Sequence, residues 1–235
     1  MPYLLWPDSF VPAKQLPTSI LSSGLGIIVA LNGPGHPYIG VFFLMFCGLC
    51  DAFDGKVART KKDRSELQKK YGIQIDSLSD LVAFGVLPAC IGNAMLRVCP
   101  TIAEIPRFKG NGDEGVGLPV TLLCFVVVML YILAALIRLA WFNVTEEERQ
   151  KTEDGARKYY TGLPVTSASL IFPTVLLLQY LIPIDITPVY FAVMFLTGFL
   201  FLARFQLKKP GIKGILVMVG IGIVEFALLV LGGFF

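Results

Sequence analysis

Four aspartates stand in a fixed frame near the start of the chain: Asp51-x-x-Asp54-Gly55-x-x-Ala58-Arg59, a basic stretch, then Gly72-x-x-x-Asp76-x-x-x-Asp80. Carboxylates brought together repel one another unless cations sit between them. The chemistry open to such a set is the binding of divalent metal, and all-oxygen ligation suits Mg²⁺, Mn²⁺ or Ca²⁺ rather than zinc. At about 100° per residue, Asp51, Asp54, Gly55 and Ala58 share one stripe of a helix, with Arg59 at its edge. Gly72, Asp76 and Asp80, spaced by four, line one side of a second helix. Packed face to face, the two helices would surround a small cavity with oxygen donors. Gly55 and Ala58 leave room there for something flat or phosphorylated.

The elements that hold this frame are apolar. Hydrophobic residues make up 55% of the 235 residues, and the mean hydropathy is +0.70. This composition predicts an all-α, polytopic membrane bundle, a single integral-membrane domain over 1–235. Seven apolar stretches are expected to span, at 18–33, 38–54, 73–97, 118–142, 163–182, 188–204 and 214–235. Most are near the length that crosses about 30 Å of hydrocarbon. Residues 1–16, with Leu4, Leu5, Trp6 and Phe10, read as an interfacial helix or a disordered tail. The first 17 residues have no continuous apolar core, so no cleavable signal peptide is expected.

Basic residues set the orientation. With the N-terminus in the cytoplasm, Arg97, Arg107 and Lys109 face outward and Arg138 lies in a span, while the rest of the 20 Lys and Arg face inward. The aspartate frame then opens to the cytoplasm, where ionisable groups at the mouths of spans mark functional sites. The net charge of +3 reflects this bias and the pull of anionic lipid headgroups rather than nucleic-acid binding. The run Lys61, Lys62, Arg64, Lys69, Lys70 is broken by Asp63 and Glu66 and reads as a topology determinant.

Other features carry less. Cys47-x-x-Cys50 lies in an apolar span and reads as core packing rather than a redox pair. The sequon Asn143-Val-Thr145 falls on the cytoplasmic side and is set aside. His36 sits in a short outward turn, which argues against histidine-based catalysis. Glu225, within the last span, has two readings: a buried hydrogen bond or an oligomer contact. Residues 100–117 read as an external loop.

The aspartate frame resembles the signature of the CDP-alcohol phosphatidyltransferases, D-x2-D-G-x2-A-R followed by G-x3-D-x3-D. Asp51, Asp54, Gly55, Ala58, Arg59, Gly72, Asp76 and Asp80 match every fixed position. The spacer between Arg59 and Gly72 is longer than usual by about one helical turn. Two further blocks resemble those of the serine-using members. One is Asp76-Ser77-Leu78-x-Asp80 running on to Phe84-Gly85-x-x-Pro88-Ala89. The other is Arg138-Leu139-Ala140-x-Phe142-Asn143 with Tyr160-Thr161-Gly162-Leu163-Pro164. Trp141 stands where those members carry a second Arg, so no role is carried over to that position.

The resemblance implies transfer of a phosphatidyl group from CDP-diacylglycerol to L-serine, releasing CMP, with Mg²⁺ or Mn²⁺ as cofactor, two ions in number. It implies metal binding by Asp51, Asp54, Asp76 and Asp80, and a general-base role for Asp80. Contacts to the CDP-lipid would come from Asp51, Asp54, Gly55, Ala58, Arg59, Gly72 and Asp76. Serine, a zwitterion, needs a cation for its carboxylate, and Arg138 offers one; Asn143, Tyr160 and Thr161 would add polar contacts. A homodimer is expected by the same analogy. Left open are an acceptor such as glycerol phosphate, inositol phosphate or choline, a diacyl or archaeal-type donor, and, from another class, a cation-coupled transporter.

Overall fold

Small residues open the structure. Helix α1 (Thr18–Leu31) buries Ser19, Ser22, Ser23, Gly26 and Ala30, a face on which another backbone can approach closely. Helix α2 (Pro37–Ala58) packs on it, and Cys47 Sγ donates to the Ser19 carbonyl at 3.3 Å. The computed structural model describes residues 18–32, 37–58, 66–98, 117–152, 159–181, 185–208 and 212–232. The expected interfacial segment 1–16, the His36 turn, Arg59, the basic residues 61–64 and the loop 100–116 lie outside them.

The third predicted span is one continuous rod built of α3 (Glu66–Asp80), a π-helical segment (Leu81–Val86) and α4 (Leu87–Val98). It begins before the apolar stretch because Glu66, Leu67, Gln68, Lys69 and Lys70 are good helix formers with no need of lipid. The π segment has a chemical cause nearby. Pro88 has no N–H to give the Phe84 carbonyl one turn back, and the buried Tyr131 hydroxyl donates to that carbonyl at 2.6 Å. Tyr190 makes a matching bond to the Pro88 carbonyl at 2.8 Å. The Phe84-Gly85-x-x-Pro88 block is therefore packing and backbone satisfaction, with Gly85 against Ala135 and Leu81.

Helix α5 (Gly117–Thr152) turns Tyr131, Ala134, Ala135 and Arg138 inward while Leu122, Leu123, Phe125, Val126 and Met129 are exposed. An apolar outer face of this extent suits lipid, not water. A 3₁₀ turn (Val165–Ser167) leads into α6 (Ala168–Leu181), followed by α7 (Thr187–Leu202) and α8 (Ile212–Gly232). Helix α7 packs along α5, and α8 along α6. Among the described residues two helical stretches, Leu67–Arg97 and Val120–Arg149, are long and apolar enough to cross a membrane; Thr18–Leu31, Pro37–Ala52, Val165–Gln179 and Thr187–Leu202 are shorter apolar helices.

An element not anticipated from the sequence is a two-stranded antiparallel pair, β1 (Tyr159–Thr161) with β2 (Gln206–Lys208), in which Tyr160 faces Leu207. It joins the α5–α6 connection to the α7–α8 connection. Arg97 donates to the carbonyls of Ala30, Leu31 and Asn32, closing the C-terminal end of α1. Glu225 resolves toward the hydrogen-bond reading: it is buried on α8 and accepts from Thr174 Oγ1 of α6. The four cysteines described, Cys47, Cys50, Cys90 and Cys124, are free.

Candidate active site

Helix α2 stays helical through Ala58, so Asp51, Asp54, Gly55 and Ala58 occupy its last turns in the register their spacing requires. Asp51 is half-buried; for Asp54, Gly55 and Ala58 the backbone alone is described. On α3, Gly72, Asp76 and Asp80 fall in a row. Asp76 is exposed and Asp80 half-buried, and Asp80 lies within electrostatic range of Cys47, one turn before Asp51 on α2. A Cβ placed on Gly72 would meet nothing within 4 Å, so the aspartate face of α3 is open at that end.

Among the described residues α3 packs on α1 and on the π segment, and the π segment in turn touches α2. Among the described residues no three His, Cys, Asp or Glu side chains stand close enough to hold an ion; the side chain of Asp54 is not among them. By chemistry the donor set still fits a hard divalent cation, being carboxylate oxygen throughout.

The later blocks converge on the same end of the molecule. Asn143 Nδ2 of α5 donates to Ser77 Oγ at 2.8 Å, and the Ser77 hydroxyl lies 3.1 Å from Asn143 Oδ1. Ser77 directly follows Asp76, so α5 is bonded to the aspartate helix. Arg138 is 6% exposed. Its Nε donates to the Leu163 carbonyl at 3.0 Å and its Nη2 to that of Gly162 at 3.4 Å. These two N–H groups serve the main chain. The turn they hold is tight: Gly162 has φ of 80°, and a Cβ there would stand 2.7 Å from the Ala203 carbonyl oxygen. Its N–H donates to Phe205 O at 2.6 Å, and that of Leu163 to Leu200 O at 3.2 Å. Only glycine fits comfortably there.

The structure thus gathers Asn143 beside the α3 aspartates, and Arg138 beside the turn that carries Thr161. Thr161 is half-buried in β1, and Tyr160 is described in backbone only. Two residues of this region were not singled out from sequence. Ser77 looked like one position in a pattern, since a hydroxyl gives no periodic signal. Gly162 had a usable signal: a glycine before Leu-Pro between two helical stretches marks a turn.

The sequence model of the CDP-alcohol phosphatidyltransferase family matches residues 18–203, from the start of α1 to just past α7. A protein named CDP-diacylglycerol–serine O-phosphatidyltransferase from Saccharomyces cerevisiae is 34% identical over 144 residues, 60% of this chain and 43% of that protein. One of the same name from Helicobacter pylori is 25% identical over 179 residues, 76% of this chain and 60% of that protein. An archaetidylserine synthase from Methanothermobacter thermautotrophicus is 26% identical over 162 residues, 69% of this chain and 56% of that protein. The chain spans about half the length of these curated relatives.

Proposed function

Because the chain belongs to the CDP-alcohol phosphatidyltransferase family, we propose that it transfers a phosphatidyl group from CDP-diacylglycerol to the hydroxyl of L-serine, giving phosphatidylserine and CMP. The observation that carries the serine reading is that the yeast, bacterial and archaeal relatives are each named for serine transfer, across donors of different lipid type. The Ser77–Asn143 bond supports it, since it joins two sequence blocks that resemble the serine-using members.

In this reading the helices form a multi-pass membrane protein of seven spans with the aspartate frame at its cytoplasmic mouth, working as a homodimer. Asp51, Asp54, Asp76 and Asp80 would hold two divalent ions, Mg²⁺ or Mn²⁺; bound there, these supply charge neutralisation for the pyrophosphate and the departing CMP. Gly55, Ala58 and the open side of Gly72 admit the nucleotide against the helix backbone, and Arg59 neutralises a phosphate. Asp80 accepts the proton of the serine hydroxyl as the oxygen attacks phosphorus and the bond to CMP breaks. A positioned base contributes roughly 10²–10⁴-fold to such a step. Arg138, its guanidinium fixed by the Gly162 and Leu163 carbonyls, supplies the positive charge for the serine carboxylate. Asn143, Tyr160 and Thr161 would add polar contacts to the serine. Transfer is direct, without a phosphatidyl-enzyme; exchange of CMP into CDP-diacylglycerol in the absence of serine would contradict this.

The test is CMP release by purified protein given CDP-diacylglycerol and Mg²⁺ or Mn²⁺, with serine, glycerol 3-phosphate, inositol phosphate and choline each offered as acceptor. Serine-dependent release is expected. Release with another acceptor would keep the family reaction and overturn the serine assignment.

A further inference from the structure

We propose that Ser77 is a positioning residue that sets the acceptor side of the site through Asn143, an inference that rests on the phosphatidyltransferase reading above. Asp76 and Asp80 sit on α3, a polar helix with Leu67, Lys69, Lys70, Ile73, Gln74, Asp76 and Leu78 exposed. Such a helix has little apolar burial to fix its rotation. Arg138 sits on α5, fixed by the main chain of the 162–163 turn. For a base on α3 to meet a hydroxyl whose carboxylate is held from α5, the two helices must keep a set spacing, and a displacement of about 1 Å is costly in such a geometry.

Side-chain ties between α5 and this rod include two bonds. The Tyr131 hydroxyl reaches the Phe84 carbonyl, beyond Asp80 and inside the core. The other is Ser77 with Asn143, where the amide donates at 2.8 Å and lies on the aspartate side of the rod. At about 100° per residue Ser77 stands about 60° from Asp80 around α3. Its hydroxyl bonds to α5, offset from the row of Gly72, Asp76 and Asp80. Ser77 and Asn143 are both half-buried, so the pair is partly shielded from competing water. The tie acts on the acceptor side of the site by fixing the Asn143 amide, which the reading above places at the serine. The α2 aspartates lie on a helix that packs on α1, α4 and α6.

The experiment compares wild type with Ser77→Ala, Ser77→Thr, Asn143→Ala and the double variant Ser77→Ala/Asn143→Ala. KM is measured separately for acceptor and for CDP-diacylglycerol, whichever acceptor the wild type uses. Ser77→Ala is expected to raise the acceptor KM about tenfold and leave that of CDP-diacylglycerol within about twofold. Ser77→Thr, which keeps the hydroxyl, is expected to restore it, and the double variant to be no worse than the worse single one. Equal changes in both KM values would overturn the inference by showing a general loss of structure, as would independent, multiplying effects of the two single changes. A wild type active only with a different acceptor would overturn the serine reading alone, and the inference would then stand or fall on the KM for that acceptor. Should the alanine variant not fold, Ser77→Cys, with its longer and weaker donor, takes its place with the same expected direction.

Discussion

At Gly26, where α1 meets α2 and α4, an added Cβ would lie 2.8 Å from Phe43 Cβ and 3.0 and 3.2 Å from the Leu87 methyls; at Gly72 it would meet nothing within 4 Å. One residue type thus stands in two opposite surroundings. In the apolar body, around Val41, Leu44, Phe84, Leu87, Ile91 and Tyr190, side chains fill the space and the absence of a Cβ lets helices approach. At Gly72 no described residue comes within 4 Å of where a Cβ would stand. What is kept small in the body is kept so for packing. What is kept small at Gly72 serves, in the reading proposed above, the nucleotide.

Substitutions at the two ends should separate activity from stability. The largest effect is expected from Asp80→Asn, which keeps the side-chain shape and removes the base: CMP release should fall about 10²–10⁴-fold while thermal unfolding in detergent stays as in the wild type. Activity within a few-fold of wild type would remove Asp80 from the proposed mechanism. Gly26→Ala should do the reverse. Overpacking there is expected to cost about 1–3 kcal/mol of stability, read as a lowered midpoint of unfolding, with KM unchanged in the protein that remains folded. Gly72→Ala sharpens the contrast most directly. Unfolding should not move, yet the KM for CDP-diacylglycerol should rise about tenfold, equivalent to about 1.4 kcal/mol; an unchanged KM would show that the open space is not where the nucleotide lies. The smallest effect belongs to Glu225→Gln. The amide can still accept from Thr174, so stability should stay within about 0.5 kcal/mol and activity should not change.

The sequence carried the helices wherever apolarity and lipid demand coincide. The predicted stretch 188–204 and α7 (Thr187–Leu202) agree closely, as do 118–142 and the start of α5 at Gly117. It carried the register of the aspartates, because i, i+3 and i+4 spacings mean one thing on a helix. It was silent where the cause is tertiary. The bond from Tyr131 to Phe84 joins residues 47 apart, and no local pattern announces it. Three-residue strands have no period to detect. Arg138 illustrates a different limit: its type and position suggested a ligand contact, and its distance to the Gly162–Leu163 main chain only appears once the chain is folded.

The pairing of Thr161 with Gln206 has a consequence for threading. Two strands that share hydrogen bonds lie on the same side of a bilayer, so the chain between them must traverse it an even number of times. Helices α6 and α7 then enter as a matched couple or not at all. This parity rule owes nothing to the distribution of Lys and Arg, and it ties the sidedness of the α5–α6 connection to that of the α7–α8 connection. A tag accessible from one side at residue 158 should be accessible from that side at residue 209 as well.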